Sequence, residues 1–363
     1  MRVLHVITGL GVGGAELQLR SLLRHTRHDA EVVPLYNPGP VADMIRADGG
    51  VVRDLAMTRN TQLSALFRLW RVIAAGGYDV VHTHLYRSCV YGRTAAWLAR
   101  TPVVVGTEHS IGETHLERRR MTRGVQALYL ATERFADNTI AVSAAVRERL
   151  VHWGVPAHRI TVIPNGLDLD RVAFDPDGRQ RGRAEFGIDP DTYVIGVLGR
   201  LDANKRFDLV ITAAAPLLDE KTALLVVGDG AERAHLESVA GHAGVADRVI
   251  FAGERHDVGT MLSTVDLFVA ASAQETFGLS VLEALECGLP VLYTTCPALD
   301  GAGSTHARRV PGTTSGLQEA IAAEVIAGQR ERIADPAVRE RFSMAAVADR
   351  VDTLYEDLSG GAR

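Results

Sequence analysis

Residues 267–285 read LFVAASAQETFGLSVLEAL, and this stretch decides the fold. Its first four residues, Leu267 to Ala270, form a continuous apolar run, which is typical of a strand buried on both faces. A loop that contains Gly278 follows, and after it the sequence predicts a helix. A buried strand that leads into a helix is the repeating unit of a parallel sheet covered by helices, so we predict an α/β protein.

The same unit repeats along most of the chain. Helical patterns lie between the apolar runs, for example at 63–74, from an N-cap at Ser143 to about Trp153, and at 207–218. The apolar runs predict strands at 3–7, 32–36, 80–84, 103–107, 139–142 and 160–163, and again at 193–198, 224–227, 249–251, 267–270 and 291–293. This repetition predicts mostly parallel sheets in two doubly wound domains.

The repetition is interrupted between Asn165 and Asp191, a stretch with a proline, several Gly and Asp residues and an Arg-rich segment. We interpret this stretch as a linker. We therefore predict an N-terminal Rossmann-like domain at 1–168 and a C-terminal Rossmann-like domain at 169–344. Two such sheets in one chain place a cleft between them, and α/β sheets bind ligands outside the carboxyl ends of their strands.

The tail of the chain predicts a helix to about Leu358, with Asp335 as its N-cap and Pro336 at its first position. Its last part, about 345–363, can pack back on the first domain.

Composition excludes several classes of function. The 363 residues carry a formal net charge of -5, so a general basic field for nucleic acid is absent. The cysteines are too few for a disulfide framework, and no two have the spacing of a zinc or redox pair. No apolar run is long enough for a membrane helix, and we expect a cytoplasmic protein without a signal peptide.

The first predicted strand leads into the glycine-rich stretch GLGVGGAE at 9–16. Glycines there let the amides of Gly13 and Gly14 approach a phosphate or a sugar at the start of a helix. A tight turn between strand and helix also needs glycine, so this signal alone is weak.

A second candidate segment, GRLDANK at 199–205, follows the first strand of the second domain. The cations of Arg200 and Lys205 suit a diphosphate that leaves with negative charge. The alternative is that both side chains are solvated surface cations.

The quoted stretch carries the third signal. Glu275 would lie in the loop and Glu283 on the helix, and free amides at Gly278, Leu279 and Ser280 could hold a phosphate between them. A carboxylate accepts hydrogen bonds from vicinal sugar hydroxyls, so Glu283 could bind a ribose and Glu275 a hexose. Alternatively, Glu275 only interacts with the helix dipole and Glu283 is an exposed helix residue.

The ordered set of motifs resembles glycosyltransferase family 4, a family of retaining transferases with the GT-B fold. Glu275 and Glu283 reproduce its E-x7-E motif within ETFGLSVLEALECGLPV. Gly199-Arg200-Leu201 with Lys205 is similar to its G-R-L-x(3)-K, residues 228–230 to its G-x-G, and residues 164–168 to its P-N-G-V-D. The match covers nearly the whole chain. It departs at 297–304, where a G-G-x-x-E segment is expected and PALDGAGS stands.

The resemblance implies a role for each matching residue. Arg200 and Lys205 would bind the diphosphate, Glu283 the ribose and Glu275 the transferred sugar, while the amides of Gly13 and Gly14 would close over the sugar donor. His109 matches a family histidine that faces the donor sugar; as a lone histidine at a strand end, it could instead be an ordinary satisfied polar residue. The implied activity is retaining transfer from a nucleotide-diphosphate sugar, with UDP as the default.

No cofactor or metal is expected beyond the sugar donor. His82 and His84 share one face of their predicted strand, but no third ligand is evident, so we predict no metal site. The catalytic set implied by the resemblance is therefore Glu275, His109, Arg200 and Lys205.

The acceptor stays open among a lipid-linked glycan, a polysaccharide and a small molecule. Basic residues at Arg59, Arg68 and Arg71 could attract anionic headgroups at the inner membrane face, although such charges usually form a solvated helix surface. A non-catalytic module that binds nucleotide sugars is the main alternative, and a phosphorylase or a sugar-nucleotide epimerase is a third.

Overall fold

A computed structural model describes residues 1–59, 61–109, 111, 115–116, 119–120, 122–300 and 304–361. It divides the chain into two compact units. The first unit combines residues 1–166 with residues 342–363, and the second unit is the continuous segment 167–341. Each unit is built on a parallel sheet with helices, which confirms the predicted α/β class.

The first unit contains a seven-stranded parallel sheet in the order β3-β2-β1-β4-β5-β8-β9, and a separate two-stranded ribbon β6-β7. Its strands are β1 Arg2–Ile7, β2 Asp29–Pro34, β3 Val51–Val52, β4 Val80–His84, β5 Val103–Glu108, β6 His115–Leu116, β7 Arg119–Arg120, β8 Asn138–Ala141 and β9 Ile160–Val162. Its helices up to residue 166 are α1 Gly14–His25, α2 Gly39–Ala47, α3 Leu63–Gly76, α4 Tyr86–Ala99, α5 Arg123–Glu133 and α6 Ala144–Trp153.

Both faces of this sheet are buried, which explains the continuous apolar runs of its strands. In β1, Leu4 and Val6 belong to a core cluster with Leu69 and Ile73 of α3. The alternate residues of the strand face the other side, where Ile7 belongs to a cluster with residues of α1 and α2. The predicted N-cap of α6 is also present, because the Ser143 hydroxyl accepts a hydrogen bond from the Val146 amide.

The second unit contains a six-stranded parallel sheet in the order β12-β11-β10-β13-β14-β15. Its strands are β10 Tyr193–Leu198, β11 Thr222–Val227, β12 Val249–Gly253, β13 Leu267–Ala270, β14 Val291–Tyr293 and β15 Ala307–Arg309. Its helices are α7 Leu169–Val172, α8 Pro176–Glu185, α9 Phe207–Ala214, α10 Arg233–His242, α11 Val258–Thr264, α12 Leu279–Glu286, α13 Thr314–Ala327 and α14 Pro336–Phe342. In each sheet the strand order reverses beside the first strand, β1 or β10, which is the point where α/β sheets bind ligands.

The interpretation of 165–191 as a linker is wrong, because α7 and α8 occupy this segment and belong to the second unit. Helix α8 is fastened through arginines. Arg179 donates to Asp266 Oδ1 at 2.6 Å, and the buried Arg183 donates to Asp266 Oδ2 at 2.7 Å. Such a helix lacks the apolar stripe that sequence patterns detect.

The predicted tail helix begins as expected but is interrupted. Asp335 Oδ1 accepts hydrogen bonds from the amides of Ala337 and Val338, so Asp335 is the N-cap of α14. The helix ends at Phe342, and a new helix, α15 Met344–Gly361, follows Ser343. Residues 362 and 363 of the predicted helix lie outside the described residues.

Helix α15 packs on the sheet of the first unit. Val347, Val351 and Tyr355 share a core cluster with Val80 and Val103 of that sheet. The Asp352 carboxylate accepts hydrogen bonds from the hydroxyl of Thr26 and the amide of Arg27. Among the described residues, no helix has the length and apolar character to cross a membrane.

Candidate functional site

In the second unit, glycine-bearing loops follow β10 and β11 and pack backbone against backbone. Gly228 has φ +135°, and a Cβ atom there would lie 1.9 Å from the Gly199 carbonyl oxygen. A Cβ atom on Gly230 would lie 2.3 Å from the Leu201 carbonyl oxygen. The G-x-G glycines therefore have a structural reason to be glycine, since any side chain would separate the two loops.

The loop after β10 places Lys205 next to Glu275. Lys205 Nζ donates to Glu275 Oε1 at 2.6 Å, with both side chains mostly buried. Asp202 holds the short turn before Lys205 by accepting hydrogen bonds from the amides of Asn204 and Lys205. Asn204 in turn donates to the Gln274 carbonyl and accepts from the Gln274 amide. These bonds fasten two sequence-predicted site residues, which lie 70 positions apart in the chain, into one ion pair.

Helix α12 begins directly after this ion pair. Gly278 is its N-cap with φ +100°, and a Cβ atom there would lie 2.5 Å from Cys296 Sγ. The amides of Leu279 and Ser280 belong to the first turn, where no helical carbonyl is available to them. An anion at this helix start would meet free N–H groups and the positive end of the helix dipole. The structure thus brings the predicted phosphate-binding amides close in sequence and space to Glu275.

Glu283 lies one turn into α12 and is only partly exposed. Burial raises the pKa of its carboxyl group, and the charge of Arg171 on α7 opposes this rise. Sequence analysis missed Arg171, which lies in the segment taken for a linker. Arg200, the other predicted cation, is exposed after the end of β10.

The segment that departs from the family pattern packs beside the same helix start. Residues 297–299 form a short 3-10 turn, and the Ala298 amide donates to the Phe277 carbonyl at 2.9 Å. Residues 301–303 lie outside the described residues. The chain continues into β15, a strand that the sequence analysis did not predict because it has three residues with two arginines.

In the first unit, Gly13 is the N-cap of α1 and Gly14 is its first residue. A Cβ atom on Gly13 would lie 2.5 Å from the Glu16 carboxylate, so this helix start is crowded as well as glycine-rich. The preceding loop is held by the Leu10 amide, which donates to the Asn37 carbonyl at 3.0 Å. The two predicted amides therefore lie at a helix start after β1, as the glycine-rich motif indicated.

His109 lies directly after β5 in the same unit and lines a cavity of about 40 Å³. Its Nε2 atom is 3.3 Å from Nδ1 of His84. Burial lowers the pKa of His109 to about 4, although a hydrogen bond with Asn165 acts in the opposite direction. Asn165 also lines the cavity. At neutral pH the His109 ring is uncharged.

A third imidazole lies beside His82 and His84, and the statement that none is evident is wrong. Parallel pairing of β1 with β4 places His5 opposite His82, on the same face. His5, His82 and His84 each have a ring nitrogen within 4.8 Å of the others. All three rings are buried, and burial lowers their pKa values, that of His5 to about 3. Sequence analysis missed His5 because only the pairing of two distant strands brings it there.

Comparisons with known proteins agree with this architecture. A model described as Glycosyltransferase Family 4 matches residues 12–171, and one described as Glycosyl transferases group 1 matches residues 178–302. A D-inositol 3-phosphate glycosyltransferase of Geodermatophilus obscurus is 30% identical over 79% of this chain and 62% of its own length. A UDP-Gal:alpha-D-GlcNAc-diphosphoundecaprenol alpha-1,3-galactosyltransferase of Escherichia coli is 27% identical over 78% of this chain and 76% of its own length.

Among solved structures, Anabaena Alr3699/HepE in complex with UDP-glucose has a TM-score of 0.85 at 22% identity. The alignment covers 98% of this chain and 100% of that protein, which shows the shared fold. The first of the curated relatives is longer, since this chain spans about three fifths of its length. The two family matches together extend across both units, and the chain belongs to the GT-B glycosyltransferases of the family 4 type.

Proposed function

We propose that the chain is a retaining glycosyltransferase that moves a sugar from a nucleotide-diphosphate sugar, by default a UDP-sugar, to a hydroxyl acceptor. The observation that carries the proposal is the Lys205–Glu275 ion pair at the start of α12. It joins a cation, a carboxylate and free helix amides in one place, which are the groups that a sugar diphosphate needs. Relatives with names that specify glycosyl transfer and UDP-sugars support it.

The leaving diphosphate would be stabilised by Lys205, Arg200 and the amides of Gly278, Leu279 and Ser280. This set supplies positive charge where negative charge develops, which is the main contribution of preorganised sites. We propose that these groups suffice without a divalent metal. Glu283 would accept hydrogen bonds from the ribose, and Glu275 would accept them from the transferred sugar.

The first unit would supply the amides of Gly13 and Gly14 and the ring of His109 to the donor. The bond between the sugar's anomeric carbon and the diphosphate breaks, and the acceptor oxygen bonds to the same carbon on the same face. A phosphate oxygen of the departing diphosphate takes the proton of the acceptor hydroxyl. This front-face route retains the configuration of the sugar without a covalent intermediate on the protein.

The test combines binding with turnover. Calorimetric titration with UDP, GDP and ADP is done with EDTA and then with magnesium, and we expect one nucleotide to bind equally in both. Labelled UDP-sugars are then incubated with lipid-linked, polysaccharide and small hydroxyl acceptors, and the anomeric configuration of any product is read by NMR. Binding of a nucleotide without any transfer would favour a non-catalytic nucleotide-sugar-binding module. Absence of binding by the folded protein would reject the proposal.

We also propose that helix α3 contacts a membrane surface peripherally. Leu63 is 84% exposed and Phe67 57% exposed, and they are one turn apart on this helix. Arg71 is exposed one further turn along, and Arg59 precedes the helix. Apolar and basic side chains together suit an anionic lipid surface. Sedimentation with anionic vesicles at low salt should show binding that Phe67→Ser weakens; no sedimentation would dismiss the contact.

A further inference from the structure

The buried histidines of the first unit form a line that ends at His109. His5 Nδ1 lies 3.0 Å from His84 Nε2, and His84 Nδ1 lies 3.3 Å from His109 Nε2. His82 is beside this line but is engaged elsewhere, with Nδ1 2.5 Å from the Tyr355 hydroxyl and Nε2 2.6 Å from the Thr107 hydroxyl. The proposed function uses His109 and gives the other rings no role.

Proton counting restricts what this line can do. A neutral imidazole has one N–H group and one acceptor nitrogen. Burial keeps these rings neutral, since the pKa values of His5 and His109 fall to about 3 and about 4 and that of His84 falls well below its usual value. His84 has a neighbouring ring at each nitrogen, so it must donate to one ring and accept from the other. The line therefore has two arrangements, and in each one the position of the His84 proton dictates that of His109.

Asn165 favours one of the two arrangements. Its hydrogen bond raises the pKa of His109 against the lowering by burial, as expected when the imidazole donates to the amide oxygen. Nε2 of His109 faces His84, so this N–H is at Nδ1. The position of Asn165 is fixed, because the side chain of Gln18 both donates to and accepts from the backbone of Gly166.

We propose that His84 and His5 are positioning residues that hold His109 in the tautomer with its proton on Nδ1. His5 donates to His84 Nε2, and His84 donates from Nδ1 to His109 Nε2. His109 thereby presents a fixed N–H group at the cavity that it lines with Asn165, and this group can donate to an oxygen of the sugar donor. The inference rests on the proposed function for the identity of that ligand, whereas the tautomer is a property of the first unit alone.

A metal ion held by His5, His82 and His84 is the competing explanation for their proximity. Both ring nitrogens of His82 are already at hydrogen-bond distance from hydroxyls, those of Tyr355 and Thr107. A metal would have to displace one of these hydroxyls. The contacts therefore favour a hydrogen-bonded network, and metal binding is an outcome that the experiment must distinguish.

The experiment reads the tautomer directly in the full-length protein with ¹³C,¹⁵N-labelled histidine. NMR signals of His109, assigned from their loss in His109→Asn, should show the proton on Nδ1. In His84→Phe we expect that preference to be lost and kcat/KM to fall about tenfold, the effect of one hydrogen bond. His84→Asn should restore both, because its amide can donate from near the position of Nδ1.

Tyr355→Phe is the matched control, since it removes the hydroxyl beside His82 and leaves the line intact; the His109 signals should not change. A proton on Nε2 of His109 in the wild type, or an unchanged tautomer in folded His84→Phe, would overturn the proposal. So would a shift of the His5, His82 and His84 signals on adding one equivalent of Zn²⁺. These NMR results stand whether or not the protein binds a nucleotide sugar, so failure of the proposed function would be recognised separately.

Discussion

The ends of the two sheets offer different chemistry, although their strand orders reverse at corresponding points. In the second unit, the groups after β10 and β13 are charged, and Lys205 and Glu275 are paired at 2.6 Å. In the first unit, the groups on β1, β4 and after β5 are imidazoles that burial keeps neutral. The same architecture thus provides one edge that balances ionic charge and another that orients neutral hydrogen bonds.

The strongest test of this contrast removes a cation from the charged edge. Lys205→Ala should lower kcat/KM by about a hundredfold or more, the loss typical for one preorganised group at a developing charge. The exposed Lys221 lies at the opposite end of the same sheet, before β11, and Lys221→Ala is the matched control. Steady-state kinetics with thermal unfolding of both variants checks the prediction. Equal turnover in the two folded variants would contradict the role of Lys205.

The neutral edge should reveal itself in the pH dependence of stability. Unfolded histidines take up protons below about 6.5, whereas folded His109 does so only near 4. The unfolded state therefore binds more protons between these values, and stability is present above pH 6.5 and lost as the pH falls to about 4. For His109 alone the loss is about 3 kcal/mol.

Urea unfolding at a series of pH values measures this loss. The decline between pH 6.5 and 4 should be steeper in the wild type than in His109→Asn. Parallel curves for the two proteins would show that His109 does not stay neutral in the folded state.

A smaller effect sharpens the contrast from the charged side. Burial raises the pKa of Glu283, and only its ionised form can accept two hydrogen bonds from ribose hydroxyls. Nucleotide affinity should therefore weaken as the pH falls through this raised pKa and recover above it. In Glu283→Gln the affinity should be lower by about tenfold, the effect of about one hydrogen bond to a charged group, and should no longer depend on this pH range. Calorimetry across pH tests this, with the exposed Glu237→Gln as the control.

The smallest expected effect concerns the hydroxyl that adjoins the imidazoles. Tyr355→Phe removes the contact with His82 and should lower the free energy of unfolding by about 1 kcal/mol, the net value of one buried hydrogen bond. Turnover should remain at the wild-type level. A large drop in turnover in the folded variant would show that His82 also takes part in positioning, and the line would have to include it.

Sequence patterns predicted the fold well where burial imposed them. The long strands, the α6 cap at Ser143 and the Asp335 cap are present because continuous apolar runs and short polar caps have local causes. The sequence analysis missed α8, whose attachment depends on Arg183 and Asp266, because ion pairs between distant segments leave no periodic signal. Short strands such as β15 were missed for the same reason.

The candidate site shows the same division. Motifs predicted Lys205 and Glu275, but only the loop contacts of Asn204 show that the two side chains meet. His5 and Arg171 could not be found from their own surroundings in sequence. One depends on the pairing of β1 with β4, and the other lies on a helix that the pattern did not reveal.

Helix α15 has a consequence for how the protein is made. The core of the first unit includes Val347, Val351 and Tyr355, which are synthesised after the entire second unit. A ribosome therefore releases a contiguous second unit that can complete its own core while the first unit still lacks part of its own. We expect the first unit to reach its final packing only after translation reaches this helix, so the order of folding would run opposite to the order in which the two sheets begin.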